Sequence, residues 1–228
     1  MFLHGYGCTF NTFYRQTVFF ERYFSVYGLD LKGFGDNREM PYPYSLDDYI
    51  LEVKEYIYKK GIKTPSVIAH SFGGRIAVKM AAEDEKAFDK IVLTGAAGLK
   101  PRFSLKKTLK KRTFSLLKRF LPKEKLSGFY SEDYRSLSPV MRESFIKIVN
   151  EYVDGLLDRI NNPTLIINGE NDKETPPYSA KRFHKGIKNS KLVFIKNAGH
   201  FCFLEAPLKF NSEVREFLLE DYVSDRYR

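Results

Sequence analysis

Cysteine is scarce in this sequence: the 228 residues include two, Cys8 and Cys202, and there is no tryptophan. Two cysteines are too few for a disulfide framework, and their spacing does not match that of metal ligands. So few cysteines are typical of proteins from reducing compartments. We therefore expect a cytoplasmic protein that holds no metal.

Long apolar runs are absent as well. A membrane-spanning helix requires about 18 or more consecutive apolar residues, and no such run occurs. The N-terminus lacks the basic start and the apolar stretch of a secretory signal peptide. We expect neither a membrane span nor secretion through a signal peptide.

The composition is that of a globular chain. Apolar residues make up 43%, charged residues 29% and aromatic residues 15%, with 20 Phe and 15 Tyr. A chain of this length buries roughly 70–75% of its unfolded surface on folding, and no long polar tract predicts disorder. These values exclude a disulfide-stapled mini-protein and a disordered tail.

The net charge of +10 is concentrated in residues 100–125, which we call the basic segment. It contains 11 Lys and Arg and a single acid, Glu124, whereas the rest of the chain holds 27 basic and 27 acidic residues. We interpret it as a lid whose charged face meets solvent. Contact with an anionic membrane surface and preference for an anionic substrate stay open. Nucleic-acid binding is not expected, because no recognition motif accompanies the charge.

Short β-branched or aromatic runs alternate with stretches of helical periodicity, which is typical of an α/β fold with a mostly parallel sheet flanked by helices. Strands are predicted at about residues 24–29, 66–70, 90–94, 164–168 and 191–196. Helices are predicted at about residues 46–59, with Ser45 as N-cap, and at 72–82, 177–187 and 207–219.

The alternation breaks between residues 99 and 160, where helical patterns replace strands. One helix is predicted within the basic segment, and a second begins at Pro139 with Ser138 as its N-cap. The predicted buried face of this second helix comprises Phe145, Ile148, Val149 and Tyr152. We therefore divide the chain into a core, residues 1–98 and 161–228, and a basic helical lid, residues 99–160.

Residues 69–74 read Ala-His-Ser-Phe-Gly-Gly and lie between a predicted strand and a predicted helix. A sharp turn that exposes a nucleophilic serine requires this context. The small residues at positions 69, 73 and 74 would let the strand and helix backbones approach each other. Ser71 is therefore the candidate nucleophile, with an ordinary strand-to-helix turn as the alternative.

A serine hydroxyl needs a base, and the chain offers four histidines. His200 is the best placed, in a loop just after the last predicted strand. His70 is expected to point to the opposite side of the turn from the nucleophile, and His184 to lie on a helix surface. His4 is expected to brace the turn formed by residues 4–7.

The base needs a carboxylate that orients it. Asp172 follows directly on a predicted strand and is the best-placed acid, with Glu170 and Glu174 as weaker candidates. The chain order is therefore Ser71, Asp172, His200, with each residue at the carboxyl end of a strand, where open α/β sheets place their sites.

A tetrahedral intermediate also needs two N–H donors for its oxyanion. The N–H of Phe72 is one candidate, because Phe72 follows Ser71 at the start of a predicted helix. The N–H of Tyr6, in the open turn of residues 4–7, is the other.

The set of motifs resembles that of the α/β-hydrolases, in the branch of capped, esterase-like serine hydrolases, over almost the whole chain. Ala69 stands where the family usually has glycine, and a side chain this small is tolerated. The resemblance rests on an oxyanion turn, a glycine-rich loop, a nucleophile turn, an acid loop and a histidine loop, at residues 4–7, 30–35, 69–74, 169–172 and 199–207.

This resemblance implies an α/β-hydrolase fold with a helical cap, and hydrolysis of a small or medium carboxylic ester through an acyl-enzyme without metal or organic cofactor. Hydrolysis of a carbon–carbon bond or an amide by the same triad stays open. So does a non-catalytic module that binds anionic surfaces through its cap. The sequence indicates no oligomeric state.

Family members have a strand pair and a full central strand before the oxyanion turn, whereas here only three residues precede His4. By resemblance, the strand at residues 1–3 lies between those predicted at 24–29 and 66–70. We therefore expect that N-terminal strands are missing from this sequence, or that another segment fills the gap.

Overall fold

The computed structural model describes residues 1–101 and 137–224, with side chains up to residue 220. Within these ranges, parallel strands form one sheet whose order follows the chain. The strands are β1 Phe2–Leu3, β2 Val67–His70, β3 Ile91–Thr94, β4 Thr164–Gly169 and β5 Ser190–Ile195.

Helices flank the sheet, so the expected α/β fold is confirmed. The described α-helices are α1 Tyr14–Phe20, α2 Leu46–Lys59, α3 Phe72–Glu83, α4 Pro139–Asn150, α5 Pro177–Gly186, α6 Cys202–Glu205 and α7 Pro207–Ser224. Short 3-10 helices lie at Phe10–Phe13, Glu85–Ala87 and Asp154–Arg159. The helix expected within the basic segment lies outside the described residues.

The strands alternate their side chains between two apolar cores. Along β3, Ile91 and Leu93 face one core and Val92 the other, and all three are at most 1% exposed. Alternation with a period of two is a direct property of extended backbone. Because helices cover both faces, the fully buried strands β2, β3 and β4 are mainly apolar, as parallel strands generally are.

The strand expected at residues 24–29 does not form, and this prediction is wrong. Gly28 makes a single isolated bridge to Phe2, and the N–H of Phe2 donates to Tyr27 O at 2.9 Å. The segment does lie beside β1, as expected. Because β1 has only two residues, it offers the segment too few partners for a continuous ladder.

Helix α2 confirms its predicted start and end. The N–H of Asp48 donates to Ser45 Oγ at 3.3 Å, and the N–H of Ser45 donates to Asp48 Oδ2 at 2.7 Å. This reciprocal capping box satisfies two amides that the helix itself cannot. Leu46, Tyr49, Ile50 and Val53 form the buried face.

Helix α4 begins as predicted, since the N–H of Met141 donates to Ser138 Oγ at 3.3 Å. Its buried face is narrower than predicted. Ile148 is buried, but Phe145 and Val149 are only half-buried, and Tyr152, also half-buried, lies beyond the end of α4. For Phe145 and Val149 the reason is a cavity between α4 and the sheet, which both side chains border.

Candidate active site

A cavity of about 570 Å³ lies at the carboxyl ends of the strands. Ser71 follows β2 and His200 follows β5, and both border it. Side chains of α4 close the opposite wall. The candidate nucleophile and base, 129 positions apart in the sequence, are thus brought to one cavity.

Ser71 lies at a strained turn between β2 and α3. Its φ is 49° and its ψ is −107°, a conformation that costs a non-glycine residue on the order of 1–3 kcal/mol. A Cβ on Gly73 would overlap with the Leu3 carbonyl, and one on Gly74 would stand 2.8 Å from the Ala96 Cβ. The two glycines therefore permit the close packing that holds Ser71 in this position.

Asp172 and His200 are joined by a hydrogen bond. His200 Nδ1 lies 2.9 Å from Asp172 Oδ2, and the two residues are 8% and 3% exposed. The two loops approach closely because glycine lies at both contact points, Gly169 at the end of β4 and Gly199 after β5. The N–H of Gly199 also donates to Glu205 Oε2 at 2.8 Å, so Glu205 braces the histidine loop.

Hydrogen bonds hold the Asp172 carboxylate in its charged form. Burial alone would raise the pKa of Asp172, but bonds from His200 and Thr175 outweigh burial, so the net pKa is lower than that of an ordinary aspartate. Thr175 supplies both its N–H, at 2.8 Å, and its hydroxyl, at 2.7 Å. An ionised Asp172 can stabilise a protonated His200.

The other nitrogen of His200 faces a second carboxylate. Nε2 lies 3.4 Å from Glu174 Oε2, whose side chain is 68% exposed. Among the described residues, Ser71 Oγ and His200 both border the cavity but share no hydrogen bond. Glu174, a weaker candidate for the orienting acid, thus lies on the proton-transfer side of the imidazole.

His70 does not point away from the site, so that prediction is wrong. Its ring centroid is 4.7 Å from that of His200, and its Nε2 donates to His200 O at 3.2 Å. Burial and the neighbouring His200 lower the pKa of His70 to about 3. A neutral His70 therefore supports the His200 backbone. His184 is exposed on α5, as expected.

Phe72, one of the two candidate oxyanion donors, directly follows Ser71 and begins α3. In the first turn of α3, the N–H of Gly73 donates to His4 O and that of Gly74 to Ser71 O. Phe72 N–H has no acceptor among the described residues, as expected for the first amide of a helix. It is therefore available to a ligand, and Phe72 borders the cavity.

The turn that carries Tyr6 is held from both sides. His4 Nε2 accepts from the N–H of Leu31 at 2.9 Å, so the ring proton lies on Nδ1, 2.8 Å from Gly5 O. His4 is 1% exposed and braces the turn, as expected. The Tyr6 hydroxyl donates to Met141 O at 3.2 Å, which ties the turn to α4.

Arg75 is a residue of this cavity that the sequence reasoning missed. It lies one turn along α3 from Ser71 and is 8% exposed. The spacing of four residues could have revealed it, since residues four apart share a helix face.

Neither a metal cluster nor a membrane helix is found in residues 1–101 and 137–224. No group of three or more metal-ligating side chains occurs there. No helix in these ranges is both long and apolar enough to cross a bilayer.

Comparison with known proteins identifies relatives over nearly the full length. The AB hydrolase superfamily protein YisY of Bacillus subtilis (strain 168) is 29% identical over 244 residues, covering 95% of this chain and 90% of the relative. The pimeloyl-(acyl-carrier protein) methyl ester esterase of Nitrosospira multiformis is 26% identical over 253 residues, with coverages of 94% and 92%.

A thermophilic esterase from Thermogutta terrifontis has the same fold, with a TM-score of 0.75, 20% identity, and coverage of 96% of this chain and 88% of its own. A family model described as the alpha/beta hydrolase family matches residues 1–213. Because this match spans most of the sequence and the fold agrees with it, the chain belongs to the alpha/beta hydrolase family.

Proposed function

We propose that this chain is a serine hydrolase that cleaves a small or medium carboxylic ester through an acyl-enzyme. The observation that carries the proposal is the hydrogen bond of 2.9 Å between His200 Nδ1 and Asp172, next to the cavity that Ser71 borders. This bond fixes the imidazole so that Nε2 is the nitrogen available for proton transfer.

Acylation begins when Ser71 Oγ attacks the ester carbonyl carbon while His200 Nε2 takes the hydroxyl proton. Asp172 stabilises the imidazolium that forms. The N–H groups of Phe72 and Tyr6 stabilise the oxyanion, and loss of one such donor typically costs about 10²- to 10³-fold in turnover. When the intermediate collapses, the alcohol leaves with the proton from His200.

Deacylation repeats these steps with water. His200 Nε2 takes a proton from water, whose oxygen attacks the acyl carbon, and the proton then returns to Ser71 Oγ as the carboxylic acid leaves. The proposed reaction uses no metal or organic cofactor.

Both half-reactions require Ser71 Oγ to approach His200 Nε2, which in this structure faces Glu174 at 3.4 Å. Catalytic hydrogen bonds often tighten only when substrate binds. Rotation of the exposed Glu174 side chain away from Nε2 would make room for that contact.

The size and lining of the cavity support an ester of modest size. Its volume of about 570 Å³ lies within the usual range for small-molecule sites, ~300–1,000 Å³. Apolar side chains of α4, Phe145, Ile148 and Val149, line one wall. We propose that residues 99–160, including α4, form the lid over this cavity and that residues 1–98 and 161–228 form the core.

We propose ester hydrolysis rather than amide or carbon–carbon bond cleavage because of one relative. The relative from Nitrosospira multiformis, 26% identical, is a methyl ester esterase. We propose that this chain shares the ester hydrolysis of that relative. We do not propose that it shares the acyl-carrier substrate.

A fluorophosphonate probe tests the nucleophile directly, because it labels only an activated serine. We expect one labelled peptide, containing Ser71, and p-nitrophenyl butyrate hydrolysis that Ser71→Ala reduces to background. Ser66→Ala is the matched control, since Ser66 lies just before β2 and Ser71 just after it. Equal hydrolysis by wild type and Ser71→Ala would remove the proposal.

A further inference from the structure

Arg75 is a buried cation in the wall of the cavity. It is 8% exposed, and it also lines a second, neighbouring cavity of about 280 Å³. Arg75, Ala97 and Glu174 border both cavities. A substrate bound at Ser71 could therefore extend along the Arg75 guanidinium into the second cavity.

The hydrogen-bonding capacity of Arg75 is only partly used. Nη1 donates to the carbonyl oxygens of Ile148, at 2.9 Å, and Glu151. A guanidinium has five N–H donors. In the described part of the chain, neither Nε nor Nη2 has a partner, and no carboxylate forms an ion pair with the group.

The carboxylates nearest to Arg75 are already paired with other cations. Glu151 lies 2.6 Å from Lys79 Nζ, and Asp154 forms an ion pair with Arg182. Burial lowers the pKa of Arg75, and Tyr152, Glu151 and Asp154 only partly offset this. Because a buried cation without a carboxylate partner is costly, the site favours an incoming anion.

The second cavity has a polar lining that suits an anion. It includes the start of α5, a ten-residue helix without an acid in its first turn, and the hydroxyl-bearing Ser179. Helix N-termini carry a partial positive charge. Lys173 and Glu174 are both exposed at this cavity, so their opposite charges offset each other in water.

We propose that Arg75 binds a carboxylate at the far end of the substrate, so that the substrate is a monoester of a dicarboxylic acid. This inference rests on the proposed function, since it names the substrate class of the same site. The acyl chain runs from the carbon attacked by Ser71 to the guanidinium, whose Nε and Nη2 match the two oxygens of a carboxylate.

Kinetics with a pair of matched esters test the proposal. One is monomethyl adipate, and the other is the methyl ester of adipic acid monoamide, which has the same shape without the charge. We expect wild type to prefer the anionic ester. Arg75→Gln should reduce the ratio of the two kcat/KM values by about 10- to 100-fold, since a bond to a charged group is lost.

Two further variants distinguish direct binding from other effects. Arg75→Lys keeps the charge without the planar fork and should give an intermediate ratio. Lys181→Gln removes an exposed cation of α5 that lines neither cavity and should change the ratio by less than about threefold. If Arg75→Gln slows both esters equally, Arg75 only supports α4 and the proposal is wrong.

Binding of free adipate separates this inference from the proposed function. We expect calorimetry to detect adipate binding to Ser71→Ala, and not to the Ser71→Ala, Arg75→Gln double variant. If wild type hydrolyses neither these esters nor p-nitrophenyl butyrate but this difference in binding is found, the hydrolase proposal fails and the carboxylate site stands. If Ser71→Ala does not bind adipate, the carboxylate site is overturned.

Discussion

Gly169 and Gly199 lie in contact across the ends of β4 and β5, so closely that a Cβ on Gly169 would overlap with the Gly199 carbonyl oxygen. This contact joins the loop of Asp172 to the loop of His200, which share a hydrogen bond of 2.9 Å. The backbone contact thus sets the distance between the two side chains.

Gly169→Ala should separate the two loops and lower ester hydrolysis by about 10²-fold, as misplacement by ~1 Å can do. It should also lower the melting temperature, because the overlap is with backbone atoms that cannot rotate away. Gly155→Ala is the control, since no atom lies within 4 Å of a Cβ there. Steady-state kinetics and thermal unfolding would check this, and an unchanged rate in Gly169→Ala would contradict it.

The two carboxylates beside His200 should differ sharply in importance. Asp172→Asn should lower kcat by about 10³- to 10⁴-fold, because an amide no longer holds the imidazole in the required tautomer. Glu174→Gln should change kcat by less than about threefold, because its side chain is 68% exposed and exposed ion pairs contribute little. Equal losses in kcat for the two variants would contradict the assignment of Asp172, rather than Glu174, as the acid that orients His200.

Acid should destabilise the protein through His70. Its pKa is about 3 in the folded chain against an ordinary 6.5, chiefly because of burial. The unfolded chain therefore binds more protons between these values. The stability that neutral His70 provides is complete above pH 6.5 and is lost as the pH falls toward 3.

Urea unfolding at a series of pH values measures this effect of His70. Between about pH 7 and pH 4, the free energy of unfolding should fall more steeply for wild type than for His70→Gln. The exposed His184 provides the control, since His184→Gln should follow wild type. Parallel curves for wild type and His70→Gln would show that His70 is not the group responsible.

Binding to anionic vesicles tests the alternative left open for the basic segment, contact with an anionic membrane surface. The segment's 11 basic residues against one acid should favour a phosphatidylserine surface at low salt and release it as salt rises, because salt screens exposed charges. Co-sedimentation should be lost when Lys106, Lys107, Lys110 and Lys111 are replaced by Gln.

A matched control for the vesicle experiment replaces four exposed lysines of the described surface, Lys54, Lys59, Lys63 and Lys185. This control removes the same net charge, so it should still bind if the segment itself carries the interaction. Binding that is independent of salt, or no binding at all, would leave the solvated lid as the interpretation of this charge.

The sequence predicted most strands and helices because their signals are local. The capping box at Ser45 and the N-cap at Ser138 each involve residues three apart, and the structure contains both bonds. The segment at residues 24–29 has a strand-like composition, but its pairing depends on how many residues β1 offers. The length of β1 is set by a distant part of the chain, so it cannot be predicted from the composition of residues 24–29.

For the candidate site, the sequence by itself determined the types of residue and the strand ends that carry them. Ser71, Asp172 and His200 were found because each follows a strand whose apolar composition is evident, and because parallel strands end at one edge of the sheet.

Only the tertiary structure decided which neighbours these residues meet. The ring of His70 against His200, Glu174 at Nε2 and Arg75 between two cavities depend on loop conformation and side-chain rotation. Those depend in turn on packing between segments far apart in sequence. The order of residues along a chain records neither the direction of a side chain after a turn nor the partner it finds there.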